Sequence, residues 1–562
     1  MELARHHTTV DASHHAVEVS VQPADDGFSW TVVNGSAEPA TVRSVAVVHS
    51  VRDVRGDLRM FRNGYQSWSH TGTAWPGREQ DPSLSEGALE LLLMSHHADQ
   101  RPATGTAVRS ELVTVVADDH DAVLLGALGG DRHDTTFRTG SGRNGLELSV
   151  EAFLGDVELA PGEARQLHDV VVRPTTDPVG ELDRWAAETG RRNTARVAAP
   201  YRVGWCSWYH YFEHVSERTF TSDVARAADW PIDVLQLDDG FQAAVGDWTR
   251  TDDSFPSGLQ AVADQVTSRG RQAGLWLAPF LAAPGSQLAL DHPDWIARFP
   301  GGEPLIAMHN DHWGGFVHAL DTSHPEVQAH LEQLARDLVG MGFSYLKLDF
   351  TYAPGFDGVW YDRTLTPAQR VRAGYDAIRR GAGDDTFLLG CGAPQGACIG
   401  VVDGMRIGPD VAPWWSARPD LWPYPGYEGT IPATANAWRN TLARSFQHRR
   451  LWLNDPDCLM LRHSETDLTE EQVRAWALAV GVSGGMAVIS DDLSLLDARA
   501  GDLLTEVVAL GRAADEAARH GDAPRCEDLM TASVPTTLSA AGAVLTGDPA
   551  AGTASVDRTA GA

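Results

Sequence analysis

The sequence predicts a multidomain protein with an N-terminal β-sandwich followed by a central (β/α)8 barrel. Three observations carry this. The chain has 562 residues, more than one ordinary core supports. Its first 190 or so residues hold short Val- and Leu-rich runs, punctuated by Gly, Asp, Asn and Pro at strand spacing. From Tyr201 onward, short apolar runs alternate with helical stretches, as parallel strands joined by crossover helices do.

The sandwich is expected over residues 1–190, with strands at 17–21, 29–33, 42–48, 107–116, 122–128, 146–153 and 166–172. Strands of this kind bury one face each, and two facing sheets satisfy them. A helix at 180–189 and an arginine-rich linker at 191–200 lead out. The barrel is expected over 191–500. Its eight strands are read at 202–208, 234–238, 273–278, 345–350, 386–391, 404–407, 449–453 and 486–490. Helices are read between them at 259–269, 325–340, 367–380 and 435–447. The long connection before the fourth strand leaves room for an inserted loop or subdomain around 292–318. The last part, 501–562, opens with a helix at 503–520. Its tail from Thr531 is dominated by Ala, Gly, Thr, Ser and Val, which leaves a small β-sheet cap and disorder both open.

Composition excludes several classes. Hydrophobic residues at 43% and charged residues at 22% describe a globular chain. No apolar run approaches the roughly 20 residues of a membrane helix. The start, MELARHHTTVDASHH, has no apolar h-region, so no secretory signal is expected. Five cysteines argue against a disulfide framework and fit a cytoplasmic protein. A net charge of −31 speaks against nucleic acid as a partner. A homo-oligomer is left open.

One residue stands out. Lys347 is the only lysine among 45 basic side chains. A chain that otherwise uses arginine keeps a lysine where a compact point charge is needed and a planar fork does not fit. Lys347 lies two residues before Asp349, so strand alternation puts both on one face. The ammonium would keep Asp349 ionised, as a nucleophile must be.

In such barrels, chemistry sits at the C-terminal strand ends. Those ends carry Trp208 and Tyr209, Asp238 and Asp239, Trp276, Lys347 and Asp349, Cys391, Arg406 and Asp410, Asn454 with Asp455 and Asp457, and Ser490 with Asp491 and Asp492. Taken singly, Asp410 or Asp455 reads as a helix cap, and Trp208, Tyr209 or Trp276 as core. Taken together they make an acidic mouth lined with tryptophan. Aromatic faces stack on the C–H faces of sugars, and carboxylates accept from hydroxyls, so the mixture suits a carbohydrate. Glycoside cleavage needs two carboxylates, and Asp349 and Asp410 are the best pair. Asp410 follows Gly408-Pro409, a turn that can lift it over a pocket, and its role as acid requires a raised pKa. His309, His312, His318 and His324 cluster in sequence but match no strong metal pattern. His6, His7, His14 and His15 are expected in a flexible N-terminus.

At these residues the sequence resembles glycoside hydrolase family 36, the microbial α-galactosidases. The matching motifs run in order: Gly64-Tyr65-Gln66-Ser67-Trp68, Gly204-Trp205-Cys206-Ser207-Trp208-Tyr209, Gln236-Leu237-Asp238-Asp239-Gly240, Leu346-Lys347-Leu348-Asp349-Phe350, Gly390-Cys391-Gly392-Ala393-Pro394, Gly404-Met405-Arg406-Ile407-Gly408-Pro409-Asp410 and Trp452-Leu453-Asn454-Asp455-Pro456-Asp457. The resemblance implies a β-sandwich, a (β/α)8 TIM barrel and a small C-terminal β-domain. It implies a retaining mechanism with no metal and no cofactor. It makes Asp349 the nucleophile and Asp410 the acid/base. Asp238 and Asp239 would hold the axial O4 and the O6 of galactose. Lys347 would bridge the O3/O4 side and the nucleophile, and Arg406 would sit near O2. Trp208, Tyr209, Trp276 and Cys391 would line the sugar subsite, and Trp68 would reach in from the sandwich.

The expected activity is hydrolysis of terminal α-galactosyl residues from oligosaccharides such as melibiose and raffinose. Gly-Pro before Asp410 matches one branch of the family, while others carry Ser-Asp-Asn, so the leaving group stays open. So do an α-N-acetylgalactosaminidase, an α-galactosyl transferase and a non-catalytic sugar-binding protein.

Overall fold

The computed structural model describes residues 1–76, 107–142, 145–421 and 429–558. All seven expected sandwich runs fall within them. Two antiparallel sheets form the N-terminal region. One has the order Glu2–Ala12, Ala40–Arg52, Gly145–Leu159, Asp134–Gly142, Arg109–Glu111. The other includes Gly27–Asn34, Val170–Thr175, Ala122–Ala127, Val113–Ala117 and Arg59–Arg62 in order. The flexible N-terminus expected from the histidines is corrected here. Residues 2–12 form a strand paired along Ala40–Arg52, because this stretch closes the edge of the first sheet.

The second sheet is buried at every position of Val113–Ala117 and Ala122–Ala127. Alternation explains it. Val116, Val123 and Leu125 face the sandwich core, whereas Val113, Val115 and Leu124 join the apolar cluster of the barrel. A sheet covered on both faces reads as a continuous apolar run. The helix Pro178–Arg192, with Asp177 accepting from Gly180 N and Pro178 in its first turn, lies in the same seam through Leu182 and Trp185.

The second half of the chain is a TIM-like parallel sheet. Its strands, in sequence and spatial order, are Val203–Cys206, Val234–Leu237, Gln272–Leu277, Phe343–Leu348, Phe387–Gly390, Gly404–Arg406, Leu453–Asp455 with Cys458–Leu459, and Ala487–Ile489. We number these barrel strands one to eight. The seventh was expected at 449–453 and lies later. Arg449, with φ 58, turns the chain, and the strand begins only at Leu453. It is also split. Leu453–Asp455 pairs with strand six, and Cys458–Leu459 pairs with strand eight. The Pro456-Asp457 break joins the two sheet edges, and Met486 N donates to Asn454 O across it at 2.9 Å.

Helices follow the strands and are set by local chemistry. Pro325–Gly340 and Pro367–Ala382 both start with proline, whose missing N–H costs nothing there. Thr366 with Gln369, and Thr469 with Gln472, form capping boxes on Pro367–Ala382 and Glu470–Ser483. The insertion before strand four is a small antiparallel sheet of Leu281–Ala282, Gly315–Ala319 and Ile306–Asn310.

Ala498–Arg519 packs on Glu470–Ser483 as the helix after strand eight. A boundary at 500/501 falls inside its first turn. The tail forms a four-stranded antiparallel sheet of Arg525–Cys526, Thr537–Ala540, Ala543–Asp548 and Thr553–Arg558, packed on Glu470–Ser483.

Candidate active site

Strand four supplies the centre. Lys347 and Asp349 leave it on one face, both nearly buried at 6% and 5% exposure. Lys347 Nζ donates to Asp238 Oδ2 at 3.0 Å and lies 3.7 Å from Asp349 Oδ2. Burial alone would lower this ammonium, but neighbouring charge, above all Asp238, holds it well above its ordinary value. From strand three, Trp276 Nε1 donates to Asp349 Oδ2 at 3.0 Å. The other oxygen, Oδ1, accepts from Phe350 N at 2.8 Å. Oδ2 thus faces one indole N–H and one ammonium.

Strand two ends in a pair of carboxylates with different surroundings. Asp238 Oδ2 also accepts from Gln236 Nε2 at 2.5 Å and lies 3.3 Å from Cys206 Sγ. Its Oδ1 accepts from Asp239 N at 3.0 Å. Asp239 Oδ1 accepts from Gln242 Nε2 at 2.5 Å, and Oδ2 accepts from Trp313 Nε1 at 2.9 Å. Burial lifts Asp239 to about 6 in spite of those donors.

Strand six brings Arg406 and Asp410. The Arg406 fork reaches three carboxylates: Nη1 donates to Asp410 Oδ1 at 3.0 Å, Nε donates to Asp455 Oδ2 at 3.1 Å, and Nη2 lies 2.7 Å from Asp457 Oδ1. Asp410 keeps 34% of its side chain exposed, whereas Asp457 is fully buried. Burial raises the Asp410 carboxyl, and the charge of Asp349 raises it further, while Arg406 pulls it down. Asp457 is lifted to about 6, first by burial and then by its acidic neighbours. It exists in this position because the chain breaks at Pro456-Asp457, where Asp457 takes φ 91.

The other expected site residues divide. Tyr209 is buried, and its hydroxyl donates to Asp457 Oδ2 at 2.5 Å, so it supports the acidic floor from strand one. Cys391 is fully buried, and burial holds its thiol well above its ordinary value, hence neutral. It is nonetheless close enough to feel Asp349, Arg406 and Lys347. Trp208 is half-buried and meets Phe212 edge-on at 5.3 Å; among the described residues nothing ties it directly to the carboxylates.

Trp68 does arrive from the sandwich. Its ring meets Phe350 edge-on at 5.1 Å, directly beside Asp349. Phe350 holds φ 50, a strained backbone for a bulky residue. Gly392 is required opposite, since a Cβ there would lie 2.7 Å from Trp68 Cη2. Ser67 N donates to Ala393 O at 3.1 Å, and Arg444 Nη1 donates to Ser67 O at 2.7 Å and to Ile407 O at 2.8 Å. The sandwich loop is therefore clamped onto strands five and six.

Sequence reasoning missed Gln242, Trp313 and the role of Phe350. Gln236 carried a signal, as it lies two residues before Asp238 on one strand face. Trp313 carried none, because it sits at the tip of an insertion.

The four clustered histidines make no joint site. His312 Nδ1 lies 3.2 Å from Glu213 Oε1, and His324 Nδ1 accepts from Glu326 N as a helix cap. Among the described residues, Asp294, His324 and Glu326 bring ligand atoms within 4.8 Å of one another. Glu326 Oε2 already accepts from Trp295 Nε1 at 3.2 Å there.

A family model described as Melibiase matches residues 203–354, the stretch from strand one to just past Asp349. The chain is similar to α-galactosidase AgaA of Geobacillus stearothermophilus, 29% identical over 204 residues. That match covers 34% of this chain and 27% of the relative, so only about a quarter of the relative's length is spanned. Among solved structures, an α-galactosidase from Thermus thermophilus in complex with stachyose superposes with a TM-score of 0.68 at 28% identity. There, 87% of this chain and 99% of that one are covered. A family 36 α-galactosidase from Geobacillus stearothermophilus in complex with raffinose shares the fold, with a TM-score of 0.63 at 14% identity over 94% of this chain and 72% of that one. These matches bear out the resemblance to glycoside hydrolase family 36.

Proposed function

We propose that the protein is a retaining exo-α-galactosidase acting on terminal α-galactosyl residues of oligosaccharides. The observation that carries the reading is the pairing of Asp349 and Asp410. They stand at the ends of strands four and six, the first held between Lys347 and Trp276 and the second by Arg406. A carboxylate flanked by Lys347 and Trp276 is suited to attack. A partly exposed carboxyl with a raised pKa is suited to give a proton.

In this reading the galactose ring lies over Trp276 with O4 and O6 toward Asp238 and Asp239. Lys347 bridges the O3/O4 side to Asp349, and Arg406 reaches O2. Asp349 attacks C1 while Asp410 protonates the departing oxygen, giving a β-galactosyl-Asp349 ester. Water then attacks C1 of that ester, Asp410 takes its proton, and α-galactose leaves with Asp349 restored. Discrimination follows from unpaired acceptors. A glucose ring, with O4 equatorial, would leave a buried carboxylate unmatched, which is costly.

The ligands of the similar structures, stachyose and raffinose, support a raffinose-type substrate. The deciding experiment is proton NMR of the first-formed product from nitrophenyl α-galactoside, melibiose and raffinose. Initial release of α-galactose is expected. β-Galactose as the first product would exclude double displacement, and no galactose from any substrate would exclude the activity.

A further inference from the structure

We infer that Trp313, at the tip of the hairpin inserted between barrel strands three and four, is a positioning residue for the galactose hydroxymethyl group. It does so by holding Asp239 in the orientation that receives O6. The inference rests on the α-galactosidase reading and adds to it a residue outside the family motifs.

The hairpin is Ile306–Asn310 paired with Gly315–Ala319. Its tip is a tight turn, Asp311–Trp313. Asn310 accepts from His312 N at 3.0 Å at its start, and Gly314 at φ 85 ends it. Such a turn fixes where the next side chain points. Trp313 is directed onto the strand-two carboxylate, with Nε1 2.9 Å from Asp239 Oδ2. Its ring meets Phe350 edge-on at 5.0 Å and lies 5.9 Å from Trp276. His312 Nδ1, beside it, lies 3.2 Å from Glu213 Oε1 in the loop after strand one. The tip is thus tied to the ends of strands one, two and four.

The chemistry at Asp239 gives the contact its meaning. An ionised carboxylate offers about four acceptor positions. Gln242 donates to Oδ1 and Trp313 to Oδ2, and the Gly240 N–H also favours the charge, which fixes the carboxylate plane and still leaves acceptor capacity for one hydroxyl. Asp238 is committed elsewhere, through Lys347, to the side of Asp349. Asp239 is therefore the carboxylate left for O6. At 5% exposure it has little water to replace a lost donor. Without the indole N–H, the torsion of a carboxylate is broad, and Oδ2 is free to turn away.

The test compares wild type with Trp313→Phe, which keeps the ring and removes the N–H. Both are assayed for kcat/KM on nitrophenyl α-D-galactopyranoside and on its 6-deoxy analogue, nitrophenyl α-D-fucopyranoside. The galactoside should lose on the order of tenfold, as for a missing hydrogen bond to a charged group, and the 6-deoxy substrate less than about threefold. Trp313→His, which returns a ring N–H, should recover part of the loss, and it carries the comparison if the Phe variant does not fold. Equal losses on the two substrates would mean a merely structural Trp313 and overturn the inference, as would no loss on either. Absence of hydrolysis of both substrates by the wild type would instead overturn the α-galactosidase reading, and the inference with it.

Discussion

Asp410 and Asp457 share one guanidinium. Arg406 gives Nη1 to the first at 3.0 Å and places Nη2 2.7 Å from the second. One is part-exposed, and the other is fully buried with Tyr209 donating to its far oxygen. The two carboxyls and the fork form one electrostatic unit, so a change at the buried member is felt at the exposed one.

Asp457→Asn should therefore move the pH profile without touching substrate. Loss of that negative charge gives Asp410 a larger share of Arg406 and removes a repulsion that raises its pKa. The folded pKa of Asp410 falls, and its protonated form is lost at lower pH. The alkaline limb of kcat/KM should shift to lower pH, read with melibiose, whose leaving group needs the proton. A limb that stays in place would detach Asp457 from the proton chemistry.

Asp349→Gly should abolish turnover, and azide should restore part of it by taking the space of the carboxylate and giving β-galactosyl azide. Asp410→Gly should slow melibiose far more than an activated nitrophenyl galactoside, because only the poor leaving group needs the proton. Near-normal activity of Asp349→Gly would show that the nucleophile lies elsewhere.

Lys347→Arg keeps the charge and should still lose roughly a hundredfold or more in kcat/KM. Nζ sits 3.0 Å from Asp238 and 3.7 Å from Asp349 in a nearly buried gap. A guanidinium is wider and planar, so it must push one carboxylate aside. Displacing a positioned group by about 1 Å is enough for a loss of that size. Retention of full activity would contradict the geometric argument.

Trp68→Ala should lower both stability and activity. The ring is 4% exposed against Phe350, and removing a buried Trp costs about 3–5 kcal/mol. Phe350 loses one of the ring contacts that hold φ 50 beside Asp349. Thermal melting and kcat measured together check this. A fall in melting temperature with unchanged kcat would confine Trp68 to packing.

The chain sequence alone determined the parts that obey short-range rules. Apolar runs alternating with helical stretches marked the barrel strands within a few residues, because burial on both faces of a strand is read locally. The lone Lys347, two positions from Asp349, pointed to the centre because strand alternation is also local. Tertiary structure decided what depends on long-range closure. Asp457 reaches Arg406 because the seventh strand breaks to join both edges of the sheet; Pro456 marks a break locally, but not which strands pair on either side of it. Tyr209 became a support for Asp457 because its partner lies 248 residues away. Trp313 reached Asp239 across 74 residues from an insertion whose own sequence has no catalytic signature. Sequence spacing specifies which face of an element a side chain takes; which other element it meets is set only when the cores of sandwich and barrel pack together.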